Sequence, residues 1–161
     1  MIRFIKTRPV KSPSKGSAYS VGFDFFVPDD FQETELKPGE DILIPSGIKA
    51  EIPIGYGLLA VDKSGIASSD EAKRKAGMSP KTNSIPSCCL VGSKLVDPDY
   101  KGEIHLSIIN VGKVSVKILP GMKLVQFIVI PFIPEVFVEV NENELKYPDS
   151  ERSGGLSSTG L

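Results

Sequence analysis

The stretch Leu95-Val-Asp-Pro-Asp-Tyr-Lys-Gly-Glu103 sets an aspartate, Asp97, and a tyrosine, Tyr100, among residues that favour a reversal of the chain. It lies between a short apolar run, Leu95-Val96, and a longer one, Glu103–Asn110. A carboxylate at the mouth of such a hairpin is held by its flanking strands while its oxygens face a cleft, which suits a general base. Tyr100, three residues on, could lay its ring against a sugar or a base. An ordinary Asx-type turn with a packed tyrosine accounts for the same residues.

Two other pieces could grip an anion. Asp62-Lys-Ser-Gly-Ile-Ala67 follows the apolar run Tyr56–Val61. A Ser-Gly after a strand, opening a short helix, offers backbone N–H groups and a hydroxyl to a phosphate, and Lys63 adds a point charge. The spacing is not that of a P-loop, and a plain strand-to-helix junction would look the same. The tail, Arg152-Ser-Gly-Gly-Leu-Ser-Ser-Thr-Gly160, brings an arginine fork, glycine amides and several hydroxyls together. Those groups suit a triphosphate, and a terminus that orders over its ligand would act as a lid. By composition alone the tail reads as a frayed end.

The elements that must position these pieces are short strands. Val-, Ile- and Phe-rich runs recur at Ile2–Ile5, Phe23–Val27, Asp41–Ile44, Ile48–Ile52, Tyr56–Val61, Glu103–Asn110, Val114–Ile118, Leu124–Ile130 and Val136–Val140. Turn-formers such as Lys37-Pro-Gly39, Ile54-Gly55 and Leu119-Pro-Gly121 separate them, a pattern that predicts an all-β sandwich, jelly roll or barrel. Residues 67–87 break it and read as a long polar loop with one helix-capable piece around Asp70–Ala76. The Lys73-Arg74-Lys75 run within it is expected to be a solvated face, with a partner-binding loop or an added phosphate contact as the lesser alternative. The expected layout is one β domain over 1–140, with residues 67–90 as an insert loop, and a C-terminal arm over 141–161.

At 161 residues the chain suits one domain with a real core. Its net charge of −1 sets up no global field for nucleic acid or an acidic membrane, so any polyanion must be held locally. No apolar run approaches the length of a membrane span, and the N-terminus is no secretory signal, so cytoplasmic residence is the expectation. The adjacent Cys88 and Cys89 cannot pair without strain and are expected to be small buried hydrophobes. His105, the only histidine, is expected to be structural.

In their order along the chain these pieces resemble the trimeric dUTP pyrophosphatase (dUTPase) family. Ala18-Tyr-Ser-Val-Gly-Phe-Asp-Phe25 resembles its first motif, and Asp62–Ala67 its second, usually Pro-Arg-Ser-Gly-Leu-Ala. Val91–Glu103, with its Asp-x-Asp-Tyr-x-Gly-Glu core, resembles the third and carries the most specific signal. Pro120-Gly-Met-Lys-Leu-Val-Gln-Phe-Ile128 is similar to the fourth, and the glycine-rich tail to the fifth.

The resemblance implies a jelly-roll-like all-β fold with a flexible C-terminal arm, a homotrimer with sites at subunit boundaries, and Mg²⁺-assisted hydrolysis of dUTP to dUMP and pyrophosphate. It implies that Asp97 activates water, that Tyr100 stacks on deoxyribose and excludes a 2′-hydroxyl, and that the backbone from Val91 to Tyr100 reads uracil. Lys63, Ser64, Gly65 and Gln126 would contact phosphates, and Asp24 would hold the magnesium through its water shell. Arg152, Ser158 and Thr159 would grip the terminal phosphate, and Leu156 would cover the base.

The chain departs from the family at several points. Lys63 replaces the usual arginine, and Leu156-Ser157 the usual Phe-Gly. The tail is one residue shorter between its arginine and the base-covering position. The stretch between the second and third motifs is longer than usual. Lys94 stands where glycine is common in the base-reading segment, which leaves open whether dCTP is accepted beside dUTP. A nucleotide-responsive binding or regulatory module is the alternative from outside catalysis, and the insert is the feature that would serve it.

Overall fold

The computed structural model describes residues 1–79 and 85–147. In chain order its strands begin with β1 (Arg3–Lys6), β2 (Ser14–Lys15), β3 (Phe23–Phe26), β4 (Thr34–Leu36), β5 (Asp41–Pro45), β6 (Ile48–Glu51) and β7 (Tyr56–Asp62). Two short helices follow, α1 (Ser64–Ala67) and α2 (Asp70–Lys75). Then come β8 (Cys89–Val91), β9 (Leu95–Val96), β10 (His105–Asn110), β11 (Val116–Ile118) and β12 (Lys123–Pro131), and a 3₁₀ turn at Glu142–Glu144.

Every pairing is antiparallel. The largest sheet runs β2-β3-β12-β7-β9, a second runs β5-β10-β8, and β1-β6 and β11-β4 form two-stranded pieces. This is the all-β architecture that the strand pattern predicts, of the jelly-roll-like kind that the resemblance implies. Alternation explains the packing: along β10, Leu106, Ile108 and Asn110 are buried while His105, Ser107 and Ile109 are only partly so. Val27, Ile44, Leu106, Ile118, Leu124, Val125 and Phe127 belong to one continuous apolar core. Phe25 and Phe127 pack with ring centroids 4.6 Å apart. At two of the expected turns, Gly55 (φ +88°) and Gly121 (φ +76°) take the left-handed backbone that other residues resist.

A buried asparagine ties the insert to this core. Asn110 donates through Nδ2 to the carbonyls of Leu36 and Val114, at 3.0 and 2.9 Å. Its Oδ1 accepts from the Ser87 hydroxyl at 2.8 Å and from the Gly112 amide at 3.1 Å. One side chain thus satisfies four groups from three segments that an apolar residue would leave unpaired.

Two sequence expectations need correction. Val136–Val140 is not a strand; Val136, Phe137 and Val138 stand largely or wholly exposed, and none of the described residues pairs with them. Leu95-Val96 does form a strand but does not close a hairpin with β10: β9 pairs with β7, and β10 pairs with β5 and β8. The turn carrying Asp97 therefore links two sheets. Both cysteines are free, and burial, helped by the neighbouring Cys88, pushes the Cys89 thiol up to about 11, which suits a packing role. Among the described residues no helix is long and apolar enough to cross a membrane.

Candidate active site

The predicted site residues fall into two groups at opposite ends of β7. At one end, Tyr100 donates its amide to the Asp97 carbonyl at 3.2 Å, closing a turn with Pro98 at its second position. Asp97 is exposed. The Tyr100 hydroxyl donates to the Glu103 carbonyl at 2.9 Å, which fixes the ring. Gly102 makes room for the ring in this position, since a Cβ there would meet the tyrosine ring unless the ring moved.

Asp97 and Tyr100 border a cavity of about 270 Å³ whose walls include Ser93, Lys94, Leu95 and His105. His105, expected to be structural, is thus placed in the cavity wall. Its Nδ1 lies 2.8 Å from the Glu103 carbonyl, which can only accept, so the neutral ring carries its proton on Nδ1 and leaves Nε2 as an acceptor. The signal was present in the sequence: in the strand's alternation His105 shares a face with Ser107, away from the core positions. Val91 is not in the wall. Its side chain is in the core, and its amide donates to Asp62 Oδ1 at 2.6 Å.

At the other end lies a polar cluster built by the sheet. β12 pairs with β3 so that Gln126 faces Asp24, and with β7 so that Val125 faces Asp62. Cross-strand partners share a face, so Asp24 and Gln126 lie together where β7 runs into α1. Gln126 Nε2 donates to the Asp62 carbonyl at 3.0 Å. Lys63 Nζ bonds Asp24 Oδ1, and Lys123 Nζ lies 3.1 Å from Asp24 Oδ2. Burial by itself would raise the Asp24 carboxyl, but the two ammoniums outweigh it and hold the group below the usual carboxylate range. Asp24 is therefore ionised at neutral pH.

Lys123 is not among the site residues the sequence points to, although it sits inside the fourth motif, three positions before Gln126. A Cβ at Gly65 would meet none of the described residues within 4 Å. Its backbone takes no left-handed conformation either, so neither the described neighbours nor the backbone calls for glycine at this position.

The register measures the separation between the two groups. Val96 lies across from Leu58, so Asp97 comes level with Gly57, six residues before Lys63. At roughly 3.3 Å per strand residue that is about 20 Å, too far for Asp97 and Lys63 of one chain to serve adjacent phosphoryl groups. Arg152, Leu156, Ser158 and Thr159 lie outside the described residues.

No group of three His, Cys, Asp or Glu side chains that could hold a metal ion occurs among the described residues. The donor set fits only a hard cation that keeps most of its waters, is carried on a polyphosphate and meets one carboxylate, Asp24. One of the two lysine contacts would have to yield to it.

The chain is thus an antiparallel jelly-roll-like β protein with a carboxylate turn at one end of a strand and a cationic Ser-Gly turn at the other, and the solved structures similar to it include dUTPases. The Staphylococcus bacteriophage 80alpha dUTPase solved with dUpNHpp superposes with TM-score 0.78 at 17% identity, covering 100% of this chain and 99% of that one. The dUTPase of phage phi11 of S. aureus gives 0.71 at 18%, covering 89% and 98%. At such identities the likeness speaks for the fold.

Sequence relatives carry the assignment. The deoxyuridine 5′-triphosphate nucleotidohydrolase of Bdellovibrio bacteriovorus is 35% identical over 126 residues, 78% of this chain and 72% of that protein. That of Gloeothece citriformis is 34% identical over 130 residues, 81% and 77%. No family model matches the chain. The chain belongs to the deoxyuridine 5′-triphosphate nucleotidohydrolase family.

Proposed function

We propose that the protein hydrolyses dUTP to dUMP and pyrophosphate in sites shared between copies of the chain. Asp97 of one copy meets the Asp24–Lys63–Gln126 end of another. The observation that carries this is the separation along β7, which leaves each half-site incomplete alone. Apolar surface supports association. Ile133, Val136, Phe137 and Val138 are exposed, and a groove of about 450 Å³ is lined by residues such as Ile2, Phe4, Phe23 and Tyr56. A homotrimer is the assembly we assign, with the arm from 141 onward closing the site and the cytoplasm as its place of action.

In this site the Asp97 carboxylate takes a proton from a water in line with the α-phosphate. The water oxygen bonds phosphorus as the bond to the bridging oxygen breaks, and pyrophosphate departs with the electron pair. Lys63, Ser64, Gly65 and Gln126 hold the phosphates with an ammonium, a hydroxyl and amide donors, where charge spreads over non-bridging oxygens. Lys123 adds a second ammonium to the same end. Tyr100 packs on the deoxyribose, the 93–97 segment borders the base, and Arg152, Leu156, Ser158 and Thr159 cover the nucleotide. Mg²⁺, held through water at Asp24, supplies charge neutralisation for the triphosphate.

Incubating the protein with Mg²⁺ and dUTP, dCTP, dTTP or UTP and measuring pyrophosphate release tests the reading. Release confined to dUTP is expected, and no release from any of the four would overturn it. Lys94 and His105 in the cavity wall motivate a second reading, in which dCTP turns over comparably.

The open space at Gly65 gives a sharper prediction. Gly65→Ala should fold at least as well as the wild type, since alanine is favoured over glycine within a helix by about 0.5–1 kcal/mol. Its turnover of dUTP should nevertheless fall roughly 10²-fold, because the methyl occupies the phosphate's approach. Thermal melting and steady-state kinetics on one sample check both halves.

A further inference from the structure

The basic run of the insert does not behave as one solvated face. Lys75 is exposed and paired at 2.8 Å with Glu71, one helical turn back. Lys73 is turned inward, its side chain only 13% exposed. Its Nζ donates to the Gly65 carbonyl at 2.9 Å and to Asp70 Oδ1 at 3.1 Å. A sheltered ammonium is costly unless its donors are used. Here one of its acceptors is the backbone of the Ser64-Gly65 turn.

The helix that presents Lys73 is capped and tied to the far side of the insert. The Ser69 hydroxyl accepts from the Ala72 amide and caps α2. The Asp70 amide donates to the Pro86 carbonyl at 3.3 Å. Cys88 Sγ donates to the Ala67 carbonyl at 2.9 Å, and Ser87 is bonded to Asn110. Both described ends of the insert are therefore pinned to α1 and to the core.

We infer that Lys73 is a positioning residue for the phosphate chain of the nucleotide, an inference that rests on the function proposed above. The turn's backbone bonds include those from the Ile66 and Ala67 amides to the Lys63 carbonyl, both 2.8 Å. Lys73 adds a charged bond from outside, fixing the peptide plane that shares a Cα with the Gly65 amide. With its charge paired to Asp70, the ammonium acts on the turn through this bond, made without occupying the open space at Gly65. The insert thereby acquires a role in binding: it braces the residues that meet the phosphates.

The test measures kcat and KM for dUTP in wild type, Lys73→Met and Lys73→Arg. Loss of a charged hydrogen bond should raise KM about tenfold in Lys73→Met, while kcat stays within about twofold because the group touches no reacting atom. Lys73→Arg keeps the charge and should recover most of the loss. An unchanged KM in Lys73→Met overturns the inference, as would a Lys73→Met chain that fails to fold, since Lys73 would then be structural. A KM raised equally in Lys73→Arg overturns it too. Failure of the wild type to turn over dUTP overturns the underlying reading instead, so the two failures are distinguishable.

Discussion

Asp97→Asn is expected to lose turnover of dUTP by about 10²–10⁴-fold while still binding the nucleotide, the range over which a positioned general base contributes. Aspartate and asparagine have nearly the same shape, so the Asp97–Tyr100 turn and its amide-to-carbonyl bond of 3.2 Å should persist. Tyr100 keeps its contact with Glu103, and the cavity keeps its walls. What changes is the ability to accept a proton, because an amide oxygen is far less basic than a carboxylate. Binding should survive, since the groups assigned to the phosphates lie on the far end of β7. Equilibrium binding of dUTP next to single-turnover hydrolysis separates the two effects. Near-normal turnover would remove Asp97 from the mechanism.

Co-expressing Asp97→Asn with Gly65→Ala should restore activity that neither variant has alone. If each site takes its carboxylate from one copy and its phosphate grip from the next, an equal mixture unites an intact pair at about a quarter of the boundaries of a closed ring. Activity near a quarter of wild type is therefore the expected result, from two variants that are each close to inactive. If both halves came from one chain, every site in the mixture would carry one lesion and recovery would be nil. The register that sets Asp97 about 20 Å from Lys63, at roughly 3.3 Å per residue, makes the shared arrangement the expectation. A recovery of zero with mixed oligomers present in the sample would contradict it.

Much of this protein could be read from local pattern. Alternating Val, Ile and Leu around β10 and β12 marks strands, because a pleated strand shows successive side chains to opposite faces. Glycines after Ile54 and Pro120 mark turns through the left-handed backbone they allow. The helix over Asp70–Lys75 follows from its Ser69 cap and acidic first turn. Residue type and order also indicated the chemistry: a turn aspartate with a tyrosine three positions on, and a Ser-Gly after a strand. All of these depend on neighbours a few residues apart in the chain.

Only the tertiary structure decided who stands beside whom. A two-residue strand such as β9 carries too little pattern to choose between β10, its neighbour in sequence, and β7, whose edge is free to pair with it. That choice sends Asp97 away from Lys63 and divides the site. The meeting of Lys123 and Lys63 on Asp24 arises from the order β3-β12-β7, in which residues a hundred positions apart become lateral neighbours. The bond from Lys73 to Gly65 likewise needed the insert to fold back on its own base. Hydrophobic period, turn chemistry and side-chain type are properties of adjacent residues, so the sequence by itself marked most of the strands and the candidate groups. Strand partnership is settled by the free energy of burying whole faces together, so the division of the site came with the fold.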